Sequence, residues 1–451
     1  MLAVAILADT DLGAVLITLV PWIGGIVSIV ALVASLRACR RKRLIDNLPT
    51  SKAQGVFIGL VELKGTAQCA EPLVSYLAAV PCVYYAFDVQ ESWSRQVTET
   101  VTDEKGNTRT VTRTESGWSS VLSRTEMTPF YVQDETGSVL VRPEGARVEA
   151  LGVFAQTCNR FDPLYYAKGP AGAIFDSDGV RRFTEQAIPV QAPVFLVGQA
   201  RERGDVVAPE IAADPRAADF LISVRTEEQV SRGLGWRIWL FFFLGLVTAA
   251  GGHVIHAMAG VDGLGPFDIL MFATELLLFF GAWSVGWLVT VYNSLVELRQ
   301  RVEQGWAQVD IQLKRRHDLI PNLVDVVKGY RDHEAATQQA LAAMRRQLEA
   351  TPPGQAGDDP RSVQAEIKVL QEAYPALKAD GNFLALQKEL SDTESRIALA
   401  RAYFNSITTF YNTRLEVVPD RFVAALGVMQ PRALMQANDF ERAAVPVGFQ
   451  K

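Results

Sequence analysis

Three long apolar runs divide the chain, at residues 12–36, 236–255 and 269–291. Each is long enough to cross a bilayer as a helix, which takes about 20 residues. Directly after the third run the pattern turns amphipathic. Leu295, Leu298, Val302, Trp306, Val309 and Leu313 recur at steps of three or four, and Ile320, Leu323 and Val327 continue the series. Charged and amide side chains fill the positions between. This spacing predicts one apolar stripe on a helix that runs straight off the membrane span. Further helices are predicted at 361–373, at 383–414 and from about 420, with the long one ending near 350 at the break TPPGQAGDDP. Long amphipathic helices joined by short breaks predict an antiparallel bundle.

Between the first two apolar runs the periodicity shortens. β-branched and aromatic residues cluster at 55–63, 82–89, 98–102, 108–112, 130–133, 139–142, 148–151 and 194–199. DEKGN at 103–107 and DETG at 134–137 join such runs as hairpin turns. An antiparallel β-barrel or sandwich is expected. The fold class is therefore an α+β membrane protein with three transmembrane helices, a β-rich cytosolic domain and a C-terminal antiparallel helical bundle. Its domains are an anchor at 1–43, the β-rich domain at 44–232, a transmembrane hairpin at 233–293 and the bundle at 294–451.

Flanking charge sets the orientation. Only Asp9 and Asp11 precede the first span, whereas Arg37, Arg40, Arg41, Lys42 and Arg43 follow it. Arg232 and Arg237 lead into the second span, Arg299 and Arg301 follow the third, and the connector between them holds Asp262 and Asp268. By the positive-inside rule the N-terminus is outside and both large soluble parts face the cytoplasm. The absence of a basic n-region, and the basic cluster after the run, predict an uncleaved anchor instead of a secretory signal. The expected location is a bacterial inner (plasma) membrane.

Charge also narrows the partners. The chain carries a net charge of −6, and from Ser294 onward twenty Lys and Arg balance twenty Asp and Glu. A nucleic-acid binder is expected to show a basic stripe, and none is present. The Arg37–Arg43 cluster fits contact with anionic lipid, beside its role as topogenic charge. The four cysteines, Cys39, Cys69, Cys82 and Cys158, lack CxxC spacing, so neither a zinc pattern nor a small disulfide framework is expected.

The segment QVDIQLKRRHDLIPNLVDVVKGYRDHE (308–334) closely resembles the hallmark of the LemA family of membrane-anchored bacterial helical proteins. EAYPALKADGNFLALQKELSDTESRIALARAYFNSITTFYNTRLEVVP (372–419) resembles the family's second block, and PVGF (446–449) its closing motif. Phe404 stands where a second Tyr is common, and Val418 where Phe usually precedes the proline. The resemblance covers roughly the last third of the chain and implies a helical, membrane-anchored protein without a defined biochemical activity. Members with a single span are often read with the helical domain outside; here the charges predict the reverse.

A second resemblance covers the β-rich region. GLVE (59–62) with Gly65, PCVYY (81–85), residues 130–141, and FLIS (220–223) before a span are similar to the GIDE (beside-a-membrane) domain of two-span ubiquitin ligases of organelle membranes. In those ligases catalysis belongs to a RING after the second span, which needs several Cys and His to hold two zinc ions. After Trp236 this chain has no cysteine and only His253, His256, His317 and His333. Ligase chemistry is thereby excluded on ligand number, and no cofactor is expected.

The remaining constellations have bland alternatives. His253, His256 and Glu275 form a weak candidate metal or proton-relay set, against a reading as interfacial side chains. Asp318, Pro321 and Asn322 mark an expected kink or helix boundary, because proline removes a backbone hydrogen bond. Lys314, Arg315 and Arg316 spread around a helix turn as a solvated face. Residues 53–225 hold no histidine, and there is no GxSxG or phosphate-cradling loop, so no catalytic set can be assembled. The expected function is a non-enzymatic membrane scaffold that organises proteins or lipids. The stripe Leu295–Leu313 is expected to assemble homo-oligomers, with unidentified membrane or cytosolic proteins as partners. The alternatives are a GIDE-type ligase with partner-supplied catalysis and an oligomeric channel or transport accessory.

Overall fold

The computed structural model describes residues 11–102, 108–203, 208–215, 219–259, 266–329 and 381–435. The chain divides into a helical unit, formed by its first 49 residues together with 228–451, and a β unit, Thr50–Glu227. The helical unit begins with α1 (Asp11–Asp46), a single helix that carries the first apolar run and its basic flank.

The β unit contains β1 (Thr50–Ser51), β2 (Gly59–Gln68), β3 (Leu73–Val74), β4 (Pro81–Thr102), β5 (Thr108–Met127), β6 (Phe130–Gln133) and β7 (Ser138–Val141). These are followed by β8 (Arg147–Glu149), β9 (Leu151–Asn159), the one-turn helix α2 (Pro163–Ala167), β10 (Ser177–Pro189), β11 (Pro193–Glu202), β12 (Pro209–Ala212) and β13 (Leu221–Ser223). Strands β2, β6, β7, β12 and β11 pair in that order, and β11 pairs back onto β2. The ring is a closed five-stranded barrel. Closure removes most free edges, and Leu63, Phe130, Val132, Leu196 and Ile211 fill the interior. Pairings β1–β2, β7–β12 and β8–β13 are parallel, so the barrel is mixed and not purely antiparallel as its sequence predicts.

A second, antiparallel sheet runs β5-β4-β10-β9, with β3 on the start of β4. Alternate residues of its two central strands serve two cores. Val83 and Ile188 belong to the barrel core, whereas Cys82, Tyr85, Phe87, Phe183 and Ala187 form a second cluster. On β10 the period of two separates Ile188 from Ala187 and Phe183. On β4 Val83 shares the parity of Tyr85 and Phe87, and the register shift between Ile188↔Tyr84 and Pro189↔Cys82 accounts for its turn toward the other core. The predicted runs 82–89 and 108–112 turn out to be the ends of much longer strands. Strands β4 and β5 pair from Tyr84↔Met127 to Thr102↔Thr108, while β10 accompanies β4 only as far as Trp93. Beyond that point the hairpin is a two-stranded ribbon. The predicted turn at 103–107 lies outside the described residues.

The helical unit continues with α3 (Glu227–Ala259), α4 (Pro266–Gly329), α5 (Gly381–Glu416) and α6 (Asp420–Leu426). Helices α1, α3 and α4 are each long and apolar enough to cross a membrane. Glycines set the contact between α1 and α3. A Cβ on Gly24 would stand 2.6 Å from the Thr248 carbonyl oxygen, and one on Gly252 would stand 2.9 Å from Pro21 Cα. Small residues let the two backbones approach, the usual device for helix association in lipid. Ser35 Oγ donates to the Ile238 carbonyl (3.0 Å) and Lys42 reaches Ser231, so α1 and α3 are antiparallel. Trp283 Nε1 donates to Ser35 Oγ (3.2 Å) and Asn47 Nδ2 to Ser294 Oγ (2.8 Å), so α1 and α4 run parallel.

Helix α4 is continuous from the third apolar run into the amphipathic stripe, as its sequence predicts. It also continues through Pro321 to Gly329, so Asp318, Pro321 and Asn322 do not form a boundary. Leu319 is still buried just before the proline, and packing there keeps the helix going despite the lost hydrogen bond. Helix α5 returns antiparallel along α4, with Gly305 facing Phe404 and Ile407, and Arg316 facing Glu394 (3.3 Å). The predicted helix at 361–373, the end of the long helix near 350 and the closing motif 446–449 lie outside the described residues.

Candidate functional site

The last turns of α1 carry two kinds of basic side chain. Arg37, Arg40 and Arg41 are exposed, whereas Lys42 and Arg43 are half-buried. Lys42 Nζ donates to Asp46 Oδ2 (2.6 Å) and to Ser231 Oγ (2.8 Å), and Ser231 Oγ donates to Asp46 Oδ1 (2.6 Å). Arg43 donates through both terminal nitrogens to Asp420, at 2.9 and 2.6 Å. Two members of the predicted lipid-facing cluster are thus spent inside the protein.

Asp420 is the first residue of α6, where a carboxylate also meets the positive end of the helix dipole. Its side chain is 2% exposed, and Arg414 Nη1 lies 3.8 Å away on its other side. Arg414 Nε donates to Asn47 Oδ1 (3.0 Å), and Asn47 in turn donates to Ser294. The result is a continuous polar junction from α1 through α5 and α6 to α4. Val291, Leu295, Val423 and Ala424 form its apolar floor, with Trp287, Leu415 and Met429 at the margin. A bidentate Arg–carboxylate pair of this geometry is strong where water is excluded, but its desolvation cost means that its main effect is to fix register.

Two cavities open beside the junction. One, of about 290 Å³, is lined by Arg40, Arg43 and Leu44 of α1 and by Thr290, Asn293, Ser294 and Glu297 of α4. The other, of about 550 Å³, is lined by Asp46 and by α5 residues including Ser406, Thr409, Phe410, Thr413 and Arg414.

The predicted stripe has a different partner from the one its sequence suggests. Leu295, Leu298, Val302, Val309 and Leu313 are buried within the chain, and Trp306 rests edge-on against Phe404 with ring centroids 5.5 Å apart. Helices α5 and α6 cover this face, so it does not need a second copy to shield it. His253 and His256 lie on the last turns of α3 and Glu275 is half-buried on α4. Among the described residues, no three His, Cys, Asp or Glu side chains converge as metal ligands. Asp318 and Asn322 are exposed.

In the β unit, two buried polar clusters went unseen in the sequence. Glu91 and Arg181 are fully buried and joined at 3.0 and 3.1 Å. Tyr165 and Ser177 also donate to Glu91, while Arg181 donates to the carbonyls of Tyr165, Pro170 and Gly172. Burial alone would raise the Glu91 carboxyl, and the donors from Ser177, Tyr165 and Arg181 outweigh it and hold it below the usual range. Arg181 and Glu91 satisfy each other and together fasten the 160–176 loop through Tyr165 and the carbonyls of Tyr165, Pro170 and Gly172, which is a structural role. Glu62 is the less satisfied case. It is 0% exposed, accepts from Thr50 Oγ1 (2.7 Å) and lies 3.3 Å from Lys64, yet its Oε2 has no partner. Burial pushes its carboxyl up to about 7.

The residues that matter most at the membrane boundary, Asn47, Ser294, Arg414 and Asp420, carried no periodic signal. Only Asp420 was marked in another way, as an acidic residue directly after Pro419 at a helix start.

Comparison with known proteins divides the chain along similar lines. The LemA family model matches residues 305–449. The GIDE model, described as E3 ubiquitin ligase, matches residues 98–255, from the distal half of β4 into α3. Protein LemA of Metamycoplasma hominis is 25% identical over 184 residues, which is 40% of this chain and 82% of that protein. The chain therefore joins a GIDE-like segment to a LemA-like helical segment, with three helices of membrane-spanning character.

Proposed function

We propose that this protein is a non-catalytic scaffold of the LemA type that organises proteins or lipids at the inner face of a bacterial plasma membrane. The observation that carries the reading is a shared end of the three-helix bundle. Asp46 and Asn47 at the end of α1, Ser231 at the start of α3, and Ser294 past the third apolar run are tied together. The chain therefore leaves and re-enters the bundle at one end. The basic residues Arg37–Arg43, Arg232, Arg237, Arg299 and Arg301 mark that same end, which by the positive-inside rule faces the cytoplasm.

The match to an E3 ligase model favours a second reading, in which the protein takes part in ubiquitin-like transfer with catalysis supplied by a partner. The match ends at residue 255, and the last cysteine of the chain is Cys158. No thiolate is left to build RING zinc centres after the second span. The scaffold reading needs no such supply.

Capture of the tagged full chain from membranes in mild detergent, after brief cross-linking, is expected to bring down a reproducible set of membrane or cytosolic proteins, and further copies of the chain itself. Monomer across a broad concentration range in nanodiscs would remove the self-assembly part. Discharge of a ubiquitin-loaded conjugating enzyme by the purified protein would overturn the non-catalytic reading.

A further inference from the structure

The 290 Å³ cavity between α1 and α4 lies where a membrane meets water. Trp236, Trp239 and Tyr292 are exposed at this end of the bundle, at 70%, 54% and 44%. Amphipathic aromatics of this kind gather at the level of the lipid headgroups. Trp236 and Trp239 sit on the stretch of α3 that runs beside Ser35–Lys42, and Tyr292 adjoins the cavity wall on α4. The cavity therefore lies between two parallel helices at the level of these aromatics.

Its chemistry is that of an anion site. Arg43 lines the wall, but both its terminal nitrogens are engaged by Asp420. Arg40, one turn earlier, is exposed and has no ion-pair partner among the described residues. Ser294 accepts from Asn47, which leaves its hydroxyl proton to be donated into the cavity. Asn293 adds an exposed amide, with two N–H donors. Thr290 donates to the Gly286 carbonyl, so it offers only an acceptor. Glu297 is the one carboxylate in the lining, and Arg301 neutralises it at 2.9 Å. Set against each other, the lining leaves one uncompensated cation and a small group of neutral donors.

We infer that this cavity holds the phosphate of an anionic membrane lipid, with Arg40 supplying the charge and Ser294 and Asn293 the hydrogen bonds. The inference rests on the membrane-spanning reading of the helices and is independent of any protein partner. A headgroup seated there bridges α1 and α4 next to the Arg43–Asp420 pair, so lipid occupancy stabilises the junction that returns α5 and α6 to the bundle. Basic pockets between transmembrane helices on the cytoplasmic side suit such headgroups.

The test uses the delipidated full chain in a neutral detergent. Thermal unfolding and native mass spectrometry follow titration with phosphatidylglycerol, phosphatidylcholine and inorganic phosphate. Phosphatidylglycerol is expected to bind as one saturable copy and raise the unfolding temperature, while phosphatidylcholine and inorganic phosphate do neither. Arg40→Gln should weaken this binding about tenfold, Asn293→Ala less, and Arg37→Gln, which removes an equal charge outside the lining, less than about twofold. Both Arg40 and Asn293 are exposed, so their variants test binding and not folding. Equal losses for Arg37→Gln and Arg40→Gln would assign the effect to diffuse charge and overturn the site. Inorganic phosphate matching phosphatidylglycerol would overturn the lipid. A negative result here leaves the capture experiment for the scaffold reading standing by itself.

Discussion

Arg43 and Asp420 stand 377 residues apart in sequence and meet in a two-pronged ion pair, at 2.6 and 2.9 Å, at the end of the membrane bundle. Through it the helix that leads into the β unit is held to the last described helix of the chain. A GIDE-like segment lies between the two partners, yet the pair belongs wholly to the helical unit. The β unit is in effect an insertion that leaves the helical assembly closed.

Breaking one side of this pair is expected to cost more than removing both. Asp420→Asn leaves Arg43 and Arg414 facing each other without a counter-charge, a loss of roughly 3–5 kcal/mol. The double change Arg43→Met with Asp420→Leu should recover a large part of that. Thermal unfolding of wild type, Arg43→Met, Asp420→Leu and the double variant in detergent measures the cycle. Simple additivity of the two single changes would show that the residues do not act as a pair.

The stripe on α4 makes a prediction about folding instead of assembly. Val302 and Val309 are 4% and 0% exposed and face the chain's own α5. Val309→Glu buries a carboxylate without a partner, and several kcal/mol of destabilisation are expected. Circular dichroism should show loss of helix on mild heating. Helix content and unfolding temperature equal to wild type, with only the oligomer lost, would return the stripe to an intermolecular role.

Glu62 gives the β unit a pH dependence whose sign is fixed. Its carboxyl sits at about 7 in the folded protein against an ordinary 4.5, because burial, aided by the charge of Glu227, outweighs the Thr50 hydrogen bond and Lys64, which pull the other way. The folded state holds the proton more tightly than the unfolded chain. The contribution to stability is therefore full below about pH 4.5 and is lost as pH rises through about 7, by roughly 3 kcal/mol at most. Glu62→Gln should flatten the stability profile across that window and gain relative to wild type above it. Parallel profiles for the two proteins would remove Glu62 as the titrating group.

Topology can be read with an impermeant thiol reagent on whole cells. In a background with Cys69 changed to Ser, the other native thiols are buried. Gly263→Cys falls in the connector predicted to be outside, a residue beyond those described, and should be labelled. Lys388→Cys, exposed on α5, should be protected until the cells are opened. The opposite pattern would place the helical unit outside.

What was legible in the sequence follows from how each signal is written. The spans were readable because lipid admits little besides apolar side chains over some 20 residues, and the α4 stripe because its burial follows one helix face. Strand β10 was not seen, although its buried positions alternate cleanly. Two of its inward residues are Arg181 and Glu185, which look like surface side chains until Glu91 and the backbone N–H groups of Leu77 and Ala78 are found beside them. Barrel closure was likewise hidden, since β2 meets β11 across a long stretch of chain and neither strand signals its partner. The function of the basic cluster was only half legible. Composition placed it at a membrane boundary, but the division between exposed Arg40 and engaged Arg43 depends on Asp420, far away in sequence.

That distance has a consequence during synthesis. Asp420 leaves the ribosome after Arg43, Asn47, Ser231, Ser294 and Arg414, and whereas Asn47, Ser231 and Ser294 find their partners among residues already made, Arg43 waits for it. Until then Arg43 has no carboxylate and Arg414 has no common neighbour with it. A nascent chain that stalls between residues 43 and 420 adds Arg43 to the arginines, such as Arg40, that stand without a carboxylate among the described residues, and so differs from a finished copy by one further unpaired cation.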